Sequence, residues 1–421
     1  MGSALRTVFI ASLCVAASAA HAAAQSAAGG TPVIVTFKST VDFAPFEREF
    51  AADERTQRPT AAYHSRAVLG AVMSLERRHA FRAQGFFSRA LQGFSASLTD
   101  AQIEALRRNP MVETIEPDEP LSLFPIRTAA QTVDWGIPKV HADQSTAASG
   151  DGSGTVTGVN VYVIDTGVDA THPDINLVNH VSFFPGEANA DCNGHGTGVA
   201  GIIAARDNGD FTVGVAPGAP VTGVKVVGCA GVSTPSLIIQ GVDWVTANAA
   251  KPAVANISLG GILPINSLNR AVVNSSLSGV FYAVAAGNGN PLTGQAINAC
   301  YSSPAGAGYN VNNVPNGVAT VAATDISDQE AGFSNFGVCV NIWAPGVSVT
   351  APWLMSEGGT ITASGTSFAS PYVAGGAALL LSRFPTLHPI VVEYILLITA
   401  DVTGTLSKDG APIRRLNVRL Y

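Results

Sequence analysis

Charge is scarce in this chain of 421 residues: only 13% are Asp, Glu, Lys or Arg, and no long run of either sign occurs. With a formal net charge of -7 and no such run, nucleic acid and anionic membrane surfaces find no electrostatic footprint, and neither is expected as a partner. Long apolar runs are missing beyond the first two dozen residues, so no later segment is expected to span a bilayer, which takes about 20 apolar residues. Cysteine is sparse, at five residues. Cys192 stands three residues before His195, yet a zinc site wants further ligands at regular spacing, and no metal site is expected there. What is abundant is hydrophobic residues, at 47%. That excludes disorder and suffices for a large core with room for more than one folding unit.

The opening "MGSALRTVFIASLCVAASAAHAAAQ" has one basic residue, an apolar stretch from about Val8 to Ala17, and small residues at Ala20, Ala22 and Ala24. This is a signal-peptide pattern, assigned to residues 1–24, and it predicts a secreted, extracellular protein. Cys14 leaves with it, so an even set of cysteines remains: Cys192, Cys229, Cys300 and Cys339. In an oxidising compartment four cysteines predict two disulfides.

Composition then divides the chain. Residues 31–128 hold twelve of the 23 Lys and Arg and twelve of the 30 Asp and Glu, about a quarter of that stretch, against about a tenth afterwards. The step falls near "EPLSLFPIRTAAQT", where Pro120 and Pro125 break local structure, and it divides residues 25–128 from residues 129–421. In the first block "PVIVTFK" reads as a strand and "YHSRAVLGAVMSLERRHA" as a helix. "GFSASLTDAQIEALRRNPMVETIEPD" reads as strand, helix, strand, with Thr99 as the helix cap. The second block alternates glycine-punctuated apolar strands with helical patterns, which indicates an α/β domain with a mostly parallel sheet covered on both faces. Reactive groups in such sheets belong at strand C-terminal ends and at the helix starts that follow.

Three residues meet that positional requirement. Asp165 closes the strand "VNVYVI", His195 opens a helix in "NGHGTGVAG", and Ser367 opens another in "SGTSFASPYVAG". An acid, a base and a hydroxyl are the parts of nucleophilic acyl transfer: the imidazole takes the serine proton, and the carboxylate fixes its tautomer. Asn288, after the strand "VFYAVAAG", could supply an oxyanion donor beside the backbone N–H of Ser367. Ser364 and Ser370 are read as structural, the latter with its hydroxyl on the backbone, and Pro371 is placed near the first helical turn. His172 is read as structural, Asp169 and Asp174 as solvated, and "DGSG" at 151–154 as a turn rather than a calcium loop.

"VIDTGV", "NGHGTGVAG", "NISLGG", "AAGNGN" and "SGTSFASPYVAG" together resemble the motif set of the subtilisin-like serine proteases. "AAQT" followed by "WG", and the placing of Cys192 and Cys229, resemble the secreted proteinase K and aqualysin-like branch. The resemblance implies a three-layer subtilisin-like catalytic domain preceded by a small α+β, ferredoxin-like inhibitory prosegment. It implies a self-processing, secreted serine endopeptidase acting on protein and peptide substrates and cut between Thr128 and Ala129. The catalytic set would be Asp165, His195 and Ser367, with Asn288 and Ser367 as the oxyanion hole. Substrate backbone would pair with Ser258, Leu259 and Gly260 on one side and with the segment around Gly231 on the other. Disulfides Cys192–Cys229 and Cys300–Cys339 and a monomer are implied, with no cofactor required for chemistry. Structural calcium is left open, because Asn341 stands where calcium-binding relatives carry aspartate. Gly198 and Tyr372 also depart from the family, each standing where a histidine is usual. A catalytically silent binding protein on the same fold, and an esterase or peptide ligase using the same residues, are the alternatives.

Overall fold

Residues 30–47, 64–123, 134–310 and 314–421 are described by the computed structural model. The expected signal peptide at 1–24 and the expected cut between Thr128 and Ala129 lie outside the described residues. The N-terminal unit runs β1 (Thr31–Phe37), α1 (Arg66–His79), β2 (Ala83–Phe87), β3 (Gly93–Leu98), α2 (Asp100–Arg107) and β4 (Val112–Pro117). Its antiparallel sheet has the order β2-β3-β1-β4, the split βαβ arrangement of ferredoxin-like units. Thr99 caps α2 as its sequence predicts: its side chain accepts from Gln102 N–H, and the Gln102 side chain accepts from Thr99 N–H. Val68, Leu69, Val72 and Leu75 of α1 are buried, which follows from their helical spacing.

The C-terminal unit is built on β6 (Asn160–Asp165), β7 (Leu177–Ser182), β8 (Val221–Lys225), β10 (Ala253–Ile257), β12 (Val280–Ala285), β13 (Val318–Thr324) and β14 (Ile342–Pro345). These strands are parallel, and a hairpin of β17 (Asp401–Leu406) and β18 (Pro412–Arg415) extends one edge. The order is β17-β18-β14-β13-β12-β10-β6-β8-β7. Alternate residues face opposite cores. Val161 and Val163 join the core under α3 (His195–Ala204) and α6 (Thr366–Arg383). Tyr162 and Ile164 join the core under α4 (Pro235–Asn248) and α5 (Asn266–Leu277). Three layers result, with the C-terminal ends of β6 and β12 opening on one side.

A small third sheet joins the two units. Strand β5 (Leu121–Leu123), which was not read from the sequence, lies antiparallel between β9 (Val232–Ser233) and β11 (Leu259–Gly260). Three residues alternating nothing more than leucine and serine carry no periodic signal, so only the two waiting edges make them a strand.

Candidate active site

The end of β6 delivers a carboxylate and the start of α3 an imidazole. Asp165 Oδ1 lies 2.8 Å from His195 Nδ1, and both side chains are fully buried. Thr166 connects them a second time: its N–H donates to Asp165 Oδ1 at 2.7 Å, and its Oγ1 accepts from Gly196 N–H at 2.8 Å. A side chain at Gly196 would place its Cβ 2.1 Å from Gly167 O, so the helix can approach the Asp165 turn only with glycine there. A carboxylate on Nδ1 orients Nε2 as the basic nitrogen.

Ser367 is the second residue of α6 and is fully buried. Its Oγ, His195 Nε2 and Asp165 Oδ2 are all buried without a hydrogen-bond partner. Leaving a buried polar atom unpaired costs about 1–3 kcal/mol, so each of these three atoms calls for an explanation other than packing. Asn288 Oδ1 accepts from both the N–H and the hydroxyl of Thr366, at 2.8 Å each. That anchors the amide beside Ser367. A Cβ on Gly365 would lie 2.9 Å from Ser367 Oγ and 3.0 Å from Asn288 Nδ2, so glycine keeps open the space that both groups face.

Several sequence expectations are corrected here. Pro371 is the sixth residue of α6, not a first-turn residue, and so removes the N–H that would bond Ser367 C=O. The hydroxyl of Ser258 donates to that carbonyl instead, at 2.8 Å. Ser370 does not bond to backbone; its hydroxyl donates to Asn256 Oδ1 at 2.7 Å, while Asn256 Nδ2 donates to Ser258 Oγ at 2.8 Å. Ser364 Oγ accepts from Ser348 N–H. His172 is buried with Nε2 against Gly359 O at 2.8 Å, as a structural histidine should be. Asp174 is not solvated: it is fully buried and its Oδ1 has no partner. Gly231 lies in a turn with φ of 75°, and the edge beside it is formed by Val232 and Ser233. Cys192–Cys229 and Cys300–Cys339 are disulfides, with Cα separations of 5.0 and 5.3 Å.

The model of the subtilase family matches residues 156–414, and that of peptidase inhibitor I9 matches residues 32–124. The chain belongs to the subtilase family. It is 38% identical over 349 residues to an alkaline serine exoprotease A of Vibrio alginolyticus, which spans 80% of this chain and 60% of that protein. An extracellular serine proteinase of Thermus sp. strain Rt41A is 39% identical, covering 75% of this chain and 72% of the relative. The crystal structure of a cold adapted subtilisin-like serine proteinase aligns with a TM-score of 0.55 at 39% identity, over 62% of this chain and 89% of that one. By family the subtilase is a serine endopeptidase with an inhibitor-type prosegment.

The departures of this subtilase are accommodated by neighbours. A Cβ at Gly198 would sit 3.2 Å from Pro352 O and 3.5 Å from both Phe368 and Trp353, so those rings fill the place of a side chain. Tyr372 is fully buried, and its hydroxyl donates to Asp134 Oδ1 at 2.7 Å. Burial pushes the Asp134 carboxyl up to about 6, against the opposing bonds from Tyr372 and Gly136. Gly136 is required there, since its Cβ would fall 1.9 Å from the Tyr372 hydroxyl. Asn341 is engaged on both sides of its amide, accepting from Thr320 N–H and donating to Gly308 O.

The prosegment docks through carboxylates. Glu116 accepts from the N–H and hydroxyl of Ser267 in the first turn of α5, and Asp118 accepts from Ser236 N–H in the first turn of α4. In the reverse direction, Asp243 of α4 accepts from the N–H groups of Ser88, Arg89 and Ala90.

Proposed function

We propose that this subtilase is secreted and made as a self-inhibited precursor whose hydrolysis runs through Asp165, His195 and Ser367. The observation that carries the reading is β5. Leu121 and Ser122 pair with Ser233 and Val232, and Ser122 and Leu123 pair with Gly260 and Leu259. A segment held between two strand edges occupies the place of an extended peptide substrate. In the mature enzyme a protein or peptide chain would take that place. Ser258, Leu259 and Gly260 would then flank it on one side, and the Gly231 segment on the other.

Ser367 Oγ would attack the scissile carbonyl as its proton passes to His195 Nε2, and Asp165 would stabilise the imidazolium. The oxyanion would be held by Asn288 Nδ2 and Ser367 N–H. His195 would return the proton to the leaving amine, and water would release the acyl group. The branch resembling proteinase K, a monomeric state and the cut between Thr128 and Ala129 belong to the same reading. A silent binding protein is disfavoured, because binding requires none of the three unpaired reactive atoms.

The test is expression of the wild type beside Ser367→Ala. Wild type is expected to lose the prosegment, while the variant accumulates at precursor size. Its residual turnover should fall by about 10⁶, the magnitude measured in subtilisin. Equal processing of both would remove self-maturation from the account.

No cofactor is needed for these steps. A structural calcium ion, left open by the sequence, would sit at Asp174 rather than at Asn341, whose amide has a partner on each side. The segment 206–212 wraps the buried Asp174: Arg206 N–H donates to its carbonyl and Thr212 N–H to its Oδ2, leaving Oδ1 unpartnered. Asn208 and Asp210 of that segment reach the Asp174 carboxylate, while Asp207 turns away to accept from Gly150 and Gly154 N–H.

A further inference from the structure

A lysine ammonium lies fully buried beside the proposed reactive centre, with no place in the chemistry just described. Lys225 ends β8, directly opposite Asp165 in the parallel ladder. Its Nζ donates to Thr166 O and to Val227 O, at 2.9 Å each, and lies 3.2 Å from Glu187 Oε2. Burying an ammonium costs several kcal/mol unless it is paired and hydrogen-bonded. An apolar residue would fill the same volume at far lower cost, so its retention calls for a role.

Thr166 supplies that role. Its carbonyl accepts from Lys225, its N–H donates to the Asp165 carboxylate, and its hydroxyl accepts from Gly196 N–H, next to His195. All three polar groups of one residue therefore tie Lys225 to both members of the acid–base pair. Glu187 links the ammonium outward. Its carboxylate accepts from Cys229 N–H at 2.9 Å, and Cys229 is disulfide-bonded to Cys192, three residues before His195. Val227 O places the same ammonium at the root of the segment leading to the β9 edge.

We infer that Lys225 is a positioning residue for the Asp165–His195 pair, with Glu187 as its counter-charge. This rests on the reading of Asp165, His195 and Ser367 as the catalytic set. Two consequences follow from charge. Lys225 and Glu187 carry opposite charges beside the pair, so removing either one leaves the other uncompensated there. The other titratable groups facing this region are Asp165 itself, Asp191, whose carboxylate accepts from Gly194 and Thr197 at the start of α3, and His180, which accepts from Val168 N–H. Their charges are common to all the variants below.

The experiment measures the rate of covalent labelling of Ser367 by a serine-directed phosphonate against pH, on the processed enzyme, with kcat and KM for a peptide substrate. Lys225→Met is expected to lower kcat about 10- to 100-fold with KM within about twofold, and to move the acid limb about one pH unit higher. Lys225→Arg, which keeps the charge, should recover the wild-type limb. Glu187→Gln, at a partly exposed residue, provides the test if Lys225→Met does not fold: its acid limb should move in the opposite direction, to lower pH. Limbs that coincide with wild type in every folded variant, or that move the same way in both, would reduce the pair to a structural ion pair and overturn the inference. Wild type left unlabelled at every pH would overturn the catalytic reading itself, a different result from labelling with unmoved limbs.

Discussion

At the scale of single residues, Ser367 is supported by a hydroxyl far from it in sequence. Pro371 deprives the Ser367 carbonyl of its helical partner, and Ser258 replaces that partner while also accepting from Asn256. Ser258→Ala, made on the Ser367→Ala precursor to prevent autolysis, is therefore expected to cost about 1–3 kcal/mol. Thermal unfolding measures it, and an unchanged midpoint would mean the carbonyl finds another donor. Asn288→Leu removes the proposed oxyanion donor and should lower kcat by about 10² to 10³, as the corresponding loss does in subtilisin, with little change in KM. Asp165, His195 and Ser367, the proposed triad, stood out in the sequence because each sits at a strand end or helix start with glycine close by. Ser258's role was not, because its partner lies 109 residues away and the need for it arises only when Pro371 falls inside the helix.

Among the elements, α4 carries the interface with the prosegment, and two groups there titrate in opposite senses. Burial pushes the Asp243 carboxyl up to about 6, while burial followed by the Arg89 charge pushes His64 down to about 4. Asp243 is raised above its unfolded value, so its contribution to stability is present below about pH 4 and lost as pH rises through about 6. His64 is depressed, so its contribution is present above about pH 6.5 and lost as pH falls through about 4. The two largely cancel between those limits. Asp243→Asn in the Ser367→Ala precursor should therefore gain about 2 kcal/mol relative to its parent between pH 4.5 and pH 7.5. The bond to Ser88 N–H that asparagine gives up is a constant offset across pH. Unfolding midpoints at the two pH values measure the difference, and a parallel shift at both would show that Asp243 keeps an ordinary carboxyl.

Over the whole molecule, segments that share no local pattern converge on Asp174. Its buried carboxylate is raised by burial first and by Asp210 among its neighbours, the condition a bound cation would relieve. Chelation by EDTA is expected to lower the unfolding midpoint of the Ser367→Ala precursor by several degrees, and added calcium to restore it, since a ligand that binds only the folded state stabilises it by mass action. Asp174→Asn should make the midpoint indifferent to EDTA. A response that survives this substitution would move the cation elsewhere.

Sequence alone determined the family, the alternating strands and helices of a mostly parallel sheet, and the capped α2, because each depends on local periodicity, on turn chemistry or on motifs within a few residues. Tertiary structure decided the rest. Asp174 reads as solvated in a loop sequence and is buried by residues more than thirty positions away. Asn341 reads as a candidate ligand and is consumed by Thr320 and Gly308. Leu121–Leu123 becomes a strand only between two edges contributed by the other unit. Tyr372, the departure within the serine motif itself, is tolerated because Asp134 accepts its hydroxyl and Gly136 makes room for it. Burial and hydrogen-bond partnership belong to the packed chain, and no window of sequence contains both partners.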